Sequence, residues 1–338
     1  MAITLADAQQ NVQDDVDFNV IDQYRRKSWL LDQLTFDDCV SPGTGGATLT
    51  YSYTRLVNAR QVAFRAINSE YTPNKATRTK ASVDLVPLGG SFQVDRVIAD
   101  LGSAQTNEVN FQMNQLIDGS INGFVNQLVN GDTAVNANGF DGLDAMLVGT
   151  STEMIPNSGT TGYVNWTNTT VSDQNKANDA IDLLDEFLAL IVGGADAIIG
   201  NTKSITRVRS IARRAGYYTR SEDAFGNPVE MVGTSVLVDA GTTVAEASTT
   251  ETYVVPVETR DPDGAGAGGN ITGLTDLYAV KFGLDAFHGV SKVGPLMKTW
   301  LPDFSLAGAV KTGEIESVVA PVLKRTTAAA VLRNVKVQ

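Results

Sequence analysis

Over residues 105–130 the apolar positions are Val109, Met113, Leu116, Ile117, Ile121, Phe124, Val125 and Leu128. Steps of three and four place them on one stripe of a helix. The opposite face carries amides instead of charges: Asn107, Asn110, Asn114, Gln115, Asn122, Asn126 and Gln127. At about 1.5 Å per residue such a helix is about 39 Å long, and Asn130-Gly131-Asp132 supplies its stop. Gly119 and Gly123 lie inside it, each costing about 1 kcal/mol against Ala. That cost predicts close packing of their face against another segment. The spacing predicts a backbone on which other elements, and other subunits, are mounted.

The pattern elsewhere predicts a mixed chain. Val20, Ile21, Tyr24, Leu30, Leu31 and Leu34 form the apolar side of a helix over 18–34, and Ser41-Pro42-Gly43-Thr44-Gly45-Gly46 breaks the chain after it. A period of two at Leu49, Tyr51 and Tyr53, at Val62, Phe64 and Ala66, and again at Val83 and Leu85 predicts a long two-stranded arm with a turn-rich middle at 70–75. Residues 92–98 read as a strand leading into the long helix, and 138–144 as a tight loop leaving it. The Thr/Asn-rich stretch 150–177 reads as a hairpin or loop with Tyr163 and Trp166 as packing anchors. Ala180, Ile181, Leu184, Phe187, Leu188 and Ile191 make an amphipathic helix, and Ala197-Ile198-Ile199-Gly200 a buried strand. Asn201 then caps a basic helix that ends at Gly216. Strand patterns follow at 229–238, 253–257, 276–283 and 313–337, so helix alternates with strand as in an α/β domain.

Charge sharpens this picture. Residues 1–45 hold eight aspartates against Arg25, Arg26 and Lys27, whereas residues 47–80 hold Arg55, Arg60, Arg65, Lys75, Arg78 and Lys80 against Glu70 alone. A two-stranded ribbon by itself is marginal in water. A basic ribbon beside an acidic arm predicts that each meets its opposite, within or between subunits. The six ribbon cations and Asp14, Asp15 and Asp17 are therefore the candidate subunit contacts. The net charge of −12 argues against gripping nucleic acid through bulk charge. With 43% hydrophobic and 19% charged residues in 338, the chain can bury two or three domains. Its start lacks the basic and apolar regions of a secretory signal. No apolar run approaches the roughly eighteen residues of a membrane span.

Chemical motifs are sparse. Cys39 is the only cysteine and His288 the only histidine, which leaves no intramolecular disulfide and no zinc site of the usual Cys/His type. Gly264-Ala265-Gly266-Ala267-Gly268-Gly269 spells a dinucleotide fingerprint, but Asp-Pro-Asp precedes it where a strand is needed, so it reads as a surface loop. There is no phosphate-binding P-loop and no nucleophile elbow, and His288 reads as a packed or turn histidine. The carboxylates Asp182, Asp185 and Glu186 fit a solvated helix face. Arg207, Arg209, Arg213 and Arg214 fit a solvent face or subunit salt bridges. No catalytic, cofactor or metal site is predicted.

Four stretches carry a resemblance when taken in order: Gly90-Ser91-Phe92-Gln93-Val94-Asp95-Arg96-Val97 before the long helix, Gly139-Phe140-Asp141-Gly142-Leu143 after it, Ser204-Ile205-Thr206-Arg207-Val208-Arg209-Ser210-Ile211-Ala212-Arg213, and Leu277-Tyr278-Ala279-Val280-Lys281-Phe282-Gly283 with Gly289 beyond. Their order resembles the major capsid protein of tailed bacteriophages, of the Hong Kong 97-type fold. The resemblance implies an α+β fold with an N-terminal arm (1–46), an extended β-hairpin arm (47–86), a peripheral domain with a spine helix (87–172), an axial α/β domain (173–304) and C-terminal strands returning to the peripheral domain (305–338).

It also implies a non-enzymatic, cofactor-free subunit of a virion capsid, assembled in the bacterial host cytoplasm. Copies of the chain would form the pentamers and hexamers of an icosahedral shell, with the hairpin arm lying across a neighbour. A separate scaffolding protein, a portal, and packaged double-stranded DNA held non-specifically on the inner face are the implied partners. Lys75 and Lys80 stand at the level of the arm where some relatives cross-link a lysine to a neighbour's asparagine, although no matching asparagine or assisting acid is found here. An encapsulin-type bacterial compartment shares the fold and is the alternative reading. A soluble α/β enzyme or binding protein built on residues 173–304 is the rival from another class.

Overall fold

The computed structural model describes residues 29–40, 49–99, 103–158, 160–216, 218–222, 228–244, 250–262 and 269–338. Asp14, Asp15 and Asp17, the first part of the helix expected over 18–34, the breaker at 41–46 and most of the glycine-rich loop at 264–269 lie outside the described residues.

The first described helix, α1 (Trp29–Gln33), buries Leu30 and Leu31, and strand β1 (Phe36–Val40) follows. The ribbon is real but shorter than its pattern. Strands β2 (Thr50–Asn58) and β3 (Thr77–Asp84) pair antiparallel from Thr50↔Asp84 to Asn58↔Thr77. Residues 59–76, where Val62, Phe64 and Ala66 predicted more strand, form no ladder. Asn68 is left-handed, with φ 67°, and Pro73 has no amide hydrogen to give.

Strand β4 (Val86–Asp95) and the single turn α2 (Arg96–Ala99) lead into the long helix α3 (Ser103–Asn130). Most of its stripe is buried as the spacing predicts: Met113, Ile117, Ile121, Phe124, Val125 and Leu128 enter the main core, joined by Val129, while Val109 and Leu116 are half-buried. Each contributes about 1.5–3 kcal/mol if fully buried. The glycines depart from expectation. A Cβ at Gly119 or Gly123 would meet nothing within 4 Å, so no segment of the described chain presses on that face. Gly119→Ala and Gly123→Ala are therefore each expected to raise the stability of the isolated subunit by about 1 kcal/mol, read as a higher midpoint in urea unfolding. Gly131, by contrast, is required. A Cβ there would overlap the Phe140 carbonyl, and the Gly142 amide donates back to the Gly131 carbonyl at 2.8 Å. Helix α4 (Leu143–Leu147) starts from that loop.

The polar stretch 150–177 is not a hairpin. Strands β5 (Glu153–Met154) and β6 (Val164–Asn165) each pair in parallel with a strand near the C-terminus, and Trp166 is buried beside them. Helices α5 (Asn168–Val171) and α6 (Gln174–Ala189), buried strand β7 (Ala197–Gly200) and helix α7 (Thr202–Ala215) follow. The Asn201 side chain accepts from the Ser204 amide at 2.8 Å, and Gly216 ends α7 at φ 78°. Strands β8 (Tyr218–Glu222), β9 (Pro228–Val232), β10 (Ser235–Asp239), β11 (Thr242–Val244), β12 (Glu251–Tyr253), β13 (Glu258–Arg260) and β14 (Ile271–Val280) come next. Strands β15 (Phe287–Lys292), β16 (Lys298–Trp300), β17 (Val310–Leu323) and β18 (Ala329–Lys336) complete the chain.

Two sheets organise these strands. A nine-stranded sheet runs β5-β18-β14-β7-β10-β9-β8, with β13 on β14 and β6 on β18. A five-stranded sheet runs β1-β15-β17-β16, with β4 paired along β17 from Val86↔Val319 to Asp95↔Val310. The alternation of helix and strand predicted an α/β block, but β14 is antiparallel to both β7 and β18 and only β10 is parallel to β7. The fold is α+β. One face of the nine-stranded sheet, with Ile198, Leu277, Ala279 and Leu332, packs under α6 and α7. The other, with Ile199, Tyr278, Val280 and Val331, merges with the core around α1, α3 and the five-stranded sheet. No helix among the described residues is long and apolar enough to cross a membrane.

Candidate assembly surfaces

The root of the hairpin is fastened to its own subunit. The Tyr53 hydroxyl donates to the Leu323 carbonyl at 3.1 Å. Arg55 donates to the carbonyls of Leu323 and Lys324 at 2.8 and 2.9 Å and lies over the Tyr53 ring. Tyr51 is flanked by the Lys324 ammonium, 5.4 Å from its ring centroid, and by the edge of His288.

Beyond Asn58 the hairpin leaves the body. Val62, Phe64 and Ile67 are 97%, 107% and 90% exposed. The tip nevertheless has internal order. Arg65 donates to the carbonyls of Ala66 and Ser69 and covers the Tyr71 ring, and Asn74 donates to the Gln61 carbonyl at 2.7 Å, tying the two legs together. An ordered turn presenting three bare apolar side chains differs from scattered surface hydrophobics, which are normal.

The structure therefore sorts the cations nominated by sequence. Arg55 and Arg65 spend their donors within the chain. Arg60, Lys75, Arg78 and Lys80 are exposed and make no ion pair among the described residues. Sequence reasoning missed the apolar tip, because alternation at Val62 and Phe64 reads as strand.

It also missed a buried ionic junction. Arg333 on β18 reaches Asp144 on α4, Glu153 on β5 at 2.9 Å and Asp276 on β14 at 3.1 Å. Arg260 on β13 pairs with Asp276 and donates to the Asn334 side chain at 2.8 Å. Asn334, at φ 57°, marks a register slip between β18 and β14, and its amide donates to Asp276 at 2.9 Å. Burial alone would push the Arg333 guanidinium down, but Asp276 and Asp144 outweigh it and hold the group above its ordinary value. Burial and the same two carboxylates push the Tyr278 hydroxyl up. The only sequence signal was a single arginine inside an apolar C-terminal run. The arrangement ties five elements together.

His288 is buried, as the packed reading expects, with neither ring nitrogen in a hydrogen bond among the described residues. Burial first, then Lys324, push it from 6.5 to about 4, against the pull of Asp37. The unfolded chain therefore takes up this proton first. Stability is full above about pH 6.5 and falls as pH drops toward 4, by about 3 kcal/mol in all. Unfolding midpoints of wild type and His288→Phe are expected to converge or cross over that interval, with the wild type losing more.

No family model matches the sequence, and no curated protein matches it. Solved structures do. The holo-SrpI encapsulin from Synechococcus elongatus PCC 7942 aligns with a TM-score of 0.61 at 14% identity, covering 98% of this chain and 95% of its own. The capsid of the native GTA particle aligns at 0.55 and 12% identity, covering 96% and 93%. The capsid of Myoviridae phage XM1 aligns at 0.51 and 12%, covering 96% and 95%. Near-complete coverage of both partners in each case shows a shared fold over the whole chain.

Proposed function

We propose that this chain, whose fold is the Hong Kong 97-type capsid fold, is a structural shell subunit that assembles with copies of itself into an icosahedral particle enclosing a genome. The observation that carries the reading is the hairpin tip, an ordered turn with Val62, Phe64 and Ile67 bare to solvent and no surface among the described residues of its own subunit to cover them. A neighbouring copy is the natural cover, and interfaces of permanent assemblies bury roughly 2,000–5,000 Å².

In this reading the arms at 1–46 and 47–86 reach between subunits, residues 87–172 and 305–338 form the peripheral body, and 173–304 the axial part of pentamers and hexamers. A scaffolding protein, a portal and non-specifically held double-stranded DNA belong to the same proposal, as does a virion location. Expression followed by sedimentation velocity and negative-stain microscopy tests it. Closed particles support it, and a monomer under every assembly condition overturns it.

A protein-filled compartment is the second reading, favoured by the higher score of the encapsulin alignment. Nucleic acid within nuclease-treated particles decides for the genome, and its absence for the compartment.

The sorted cations give a further expectation. Arg60→Glu with Arg78→Glu should cut particle yield several-fold at about 0.1 M salt, and the deficit should shrink near 1 M, where the Debye length falls from about 10 Å to about 3 Å. Arg55→Ala should instead lower the stability of the free subunit by about 1–2 kcal/mol, because it removes two hydrogen bonds and takes this donor from the Lys324 carbonyl.

A further inference from the structure

Helices α6 and α7 lie side by side over one face of the nine-stranded sheet, joined through Ala180, Leu184, Val208 and Ile211. Their outer faces carry opposite charge. Along α6, Asp179, Asp182, Asp185 and Glu186 are exposed, with Lys176 the only cation of that helix. Along α7 there are five cations and no acid. Three of the five are drawn onto the body: Arg209 pairs with Glu230, Arg207 donates to the Val337 carbonyl, and Lys203 reaches Gln338. Arg213 and Arg214 remain exposed at the last turn.

No ion pair among the described residues joins the two helices or engages the acids of α6. The acidic face is costly in isolation. Asp179, Asp182, Asp185 and Glu186 repel one another at spacings of three and four. Asp185 and Glu186 also sit toward the C-terminal end of α6, where the helix dipole disfavours anions. Arg213 and Arg214 suit their helix end, but their charge is otherwise unused.

We propose that the acidic face of α6 in one copy docks on the basic last turn of α7 in the next copy, a head-to-tail contact repeated around a rotation axis. This rests on the shell reading and names one of its interfaces. A second copy is favoured over a foreign partner because one chain supplies both halves of the complement. An acidic partner would leave α6 unmatched, and a basic one would leave α7 unmatched. Two different patches meeting in this way make a heterologous contact, the type that closes into rings.

Four chains test it: wild type; Asp182→Lys with Asp185→Lys and Glu186→Lys; Arg213→Glu with Arg214→Glu; and all five changes together. Particle fraction is read by sedimentation velocity and folding by circular dichroism. Each one-sided reversal is expected to cut the particle fraction at least about tenfold through like-charge contact, and the five-fold variant to recover it. One-sided variants that assemble like wild type, or a five-fold variant no better than they are, overturn the proposal. Should a reversed chain fail to fold, Asp182→Asn with Asp185→Asn, and separately Arg213→Gln with Arg214→Gln, stand in. A several-fold loss of particles supports the contact, and an unchanged fraction overturns it. A wild type that never assembles removes the shell reading itself and is told apart from these outcomes by the first sample alone.

Discussion

Chains carrying Val62→Ser, Phe64→Ser and Ile67→Ser together are expected to remain unassembled where the wild type forms particles, while unfolding at the same temperature. All three side chains are solvent-exposed in the single subunit, and exposed substitutions of this kind stay within about 0.5 kcal/mol of neutral. In a shell each would be covered, and burying a Val, Ile or Phe side chain contributes about 1.5–3 kcal/mol. Every 1.4 kcal/mol at a contact is about tenfold in its equilibrium constant, and each copy in the particle repeats the loss. Sedimentation velocity reads the assembly state and calorimetry the melting. Wild-type particle yield from the triple variant would show that the tip does not hold neighbours together.

The second large effect is internal. Arg333→Met is expected to destabilise the subunit by about 3 kcal/mol, the low end of the cost of breaking a buried pair, because Asp276 keeps Arg260 and Asp144 is partly open to solvent. That is a large share of the 5–15 kcal/mol that holds a typical domain together. Three acids, Asp144, Glu153 and Asp276, depend on this guanidinium, and its side chain is only 11% exposed. Arg333→Lys should fall between the two, because a point charge cannot serve three carboxylates in different directions. Adding Glu153→Gln to Arg333→Met should recover part of the loss, because Glu153 has no other cation among the described residues. Urea midpoints of the four chains decide, and a loss below about 1 kcal/mol for Arg333→Met would mean that water reaches the junction and screens it.

What could be read in the sequence was what is local. The stripe of α3, the Asn201 cap, the Gly216 stop and the base of the ribbon each depend on residues within a few positions of one another, and periodicity or capping chemistry reports them directly. The pairing of β4 with β17 joins residues more than two hundred positions apart, and β5 and β6 find their partner only at β18. Nothing in the short range encodes such choices, so 150–177 read as a hairpin or loop. At 59–76 the alternation was present but a strand needs a partner edge, and the two legs form no ladder there. The candidate surfaces divide in the same way. The ribbon cations were legible as a charge run, whereas which of them are free depends on where Leu323, Lys324 and Ser69 place their carbonyls.

The central position of β18 bears on how the chain comes off the ribosome. Strands β14, β5 and β6 all pair with it, and its residues from Ala329 to Leu332 are wholly enclosed. Translation at roughly 5–20 residues per second takes on the order of 15–60 s to reach this strand, and until it arrives β14 waits with one flank open. A nascent or prematurely terminated polypeptide thus has an unfinished interior and cannot present a competent subunit. In the proposed shell, this would keep truncated copies out of growing particles.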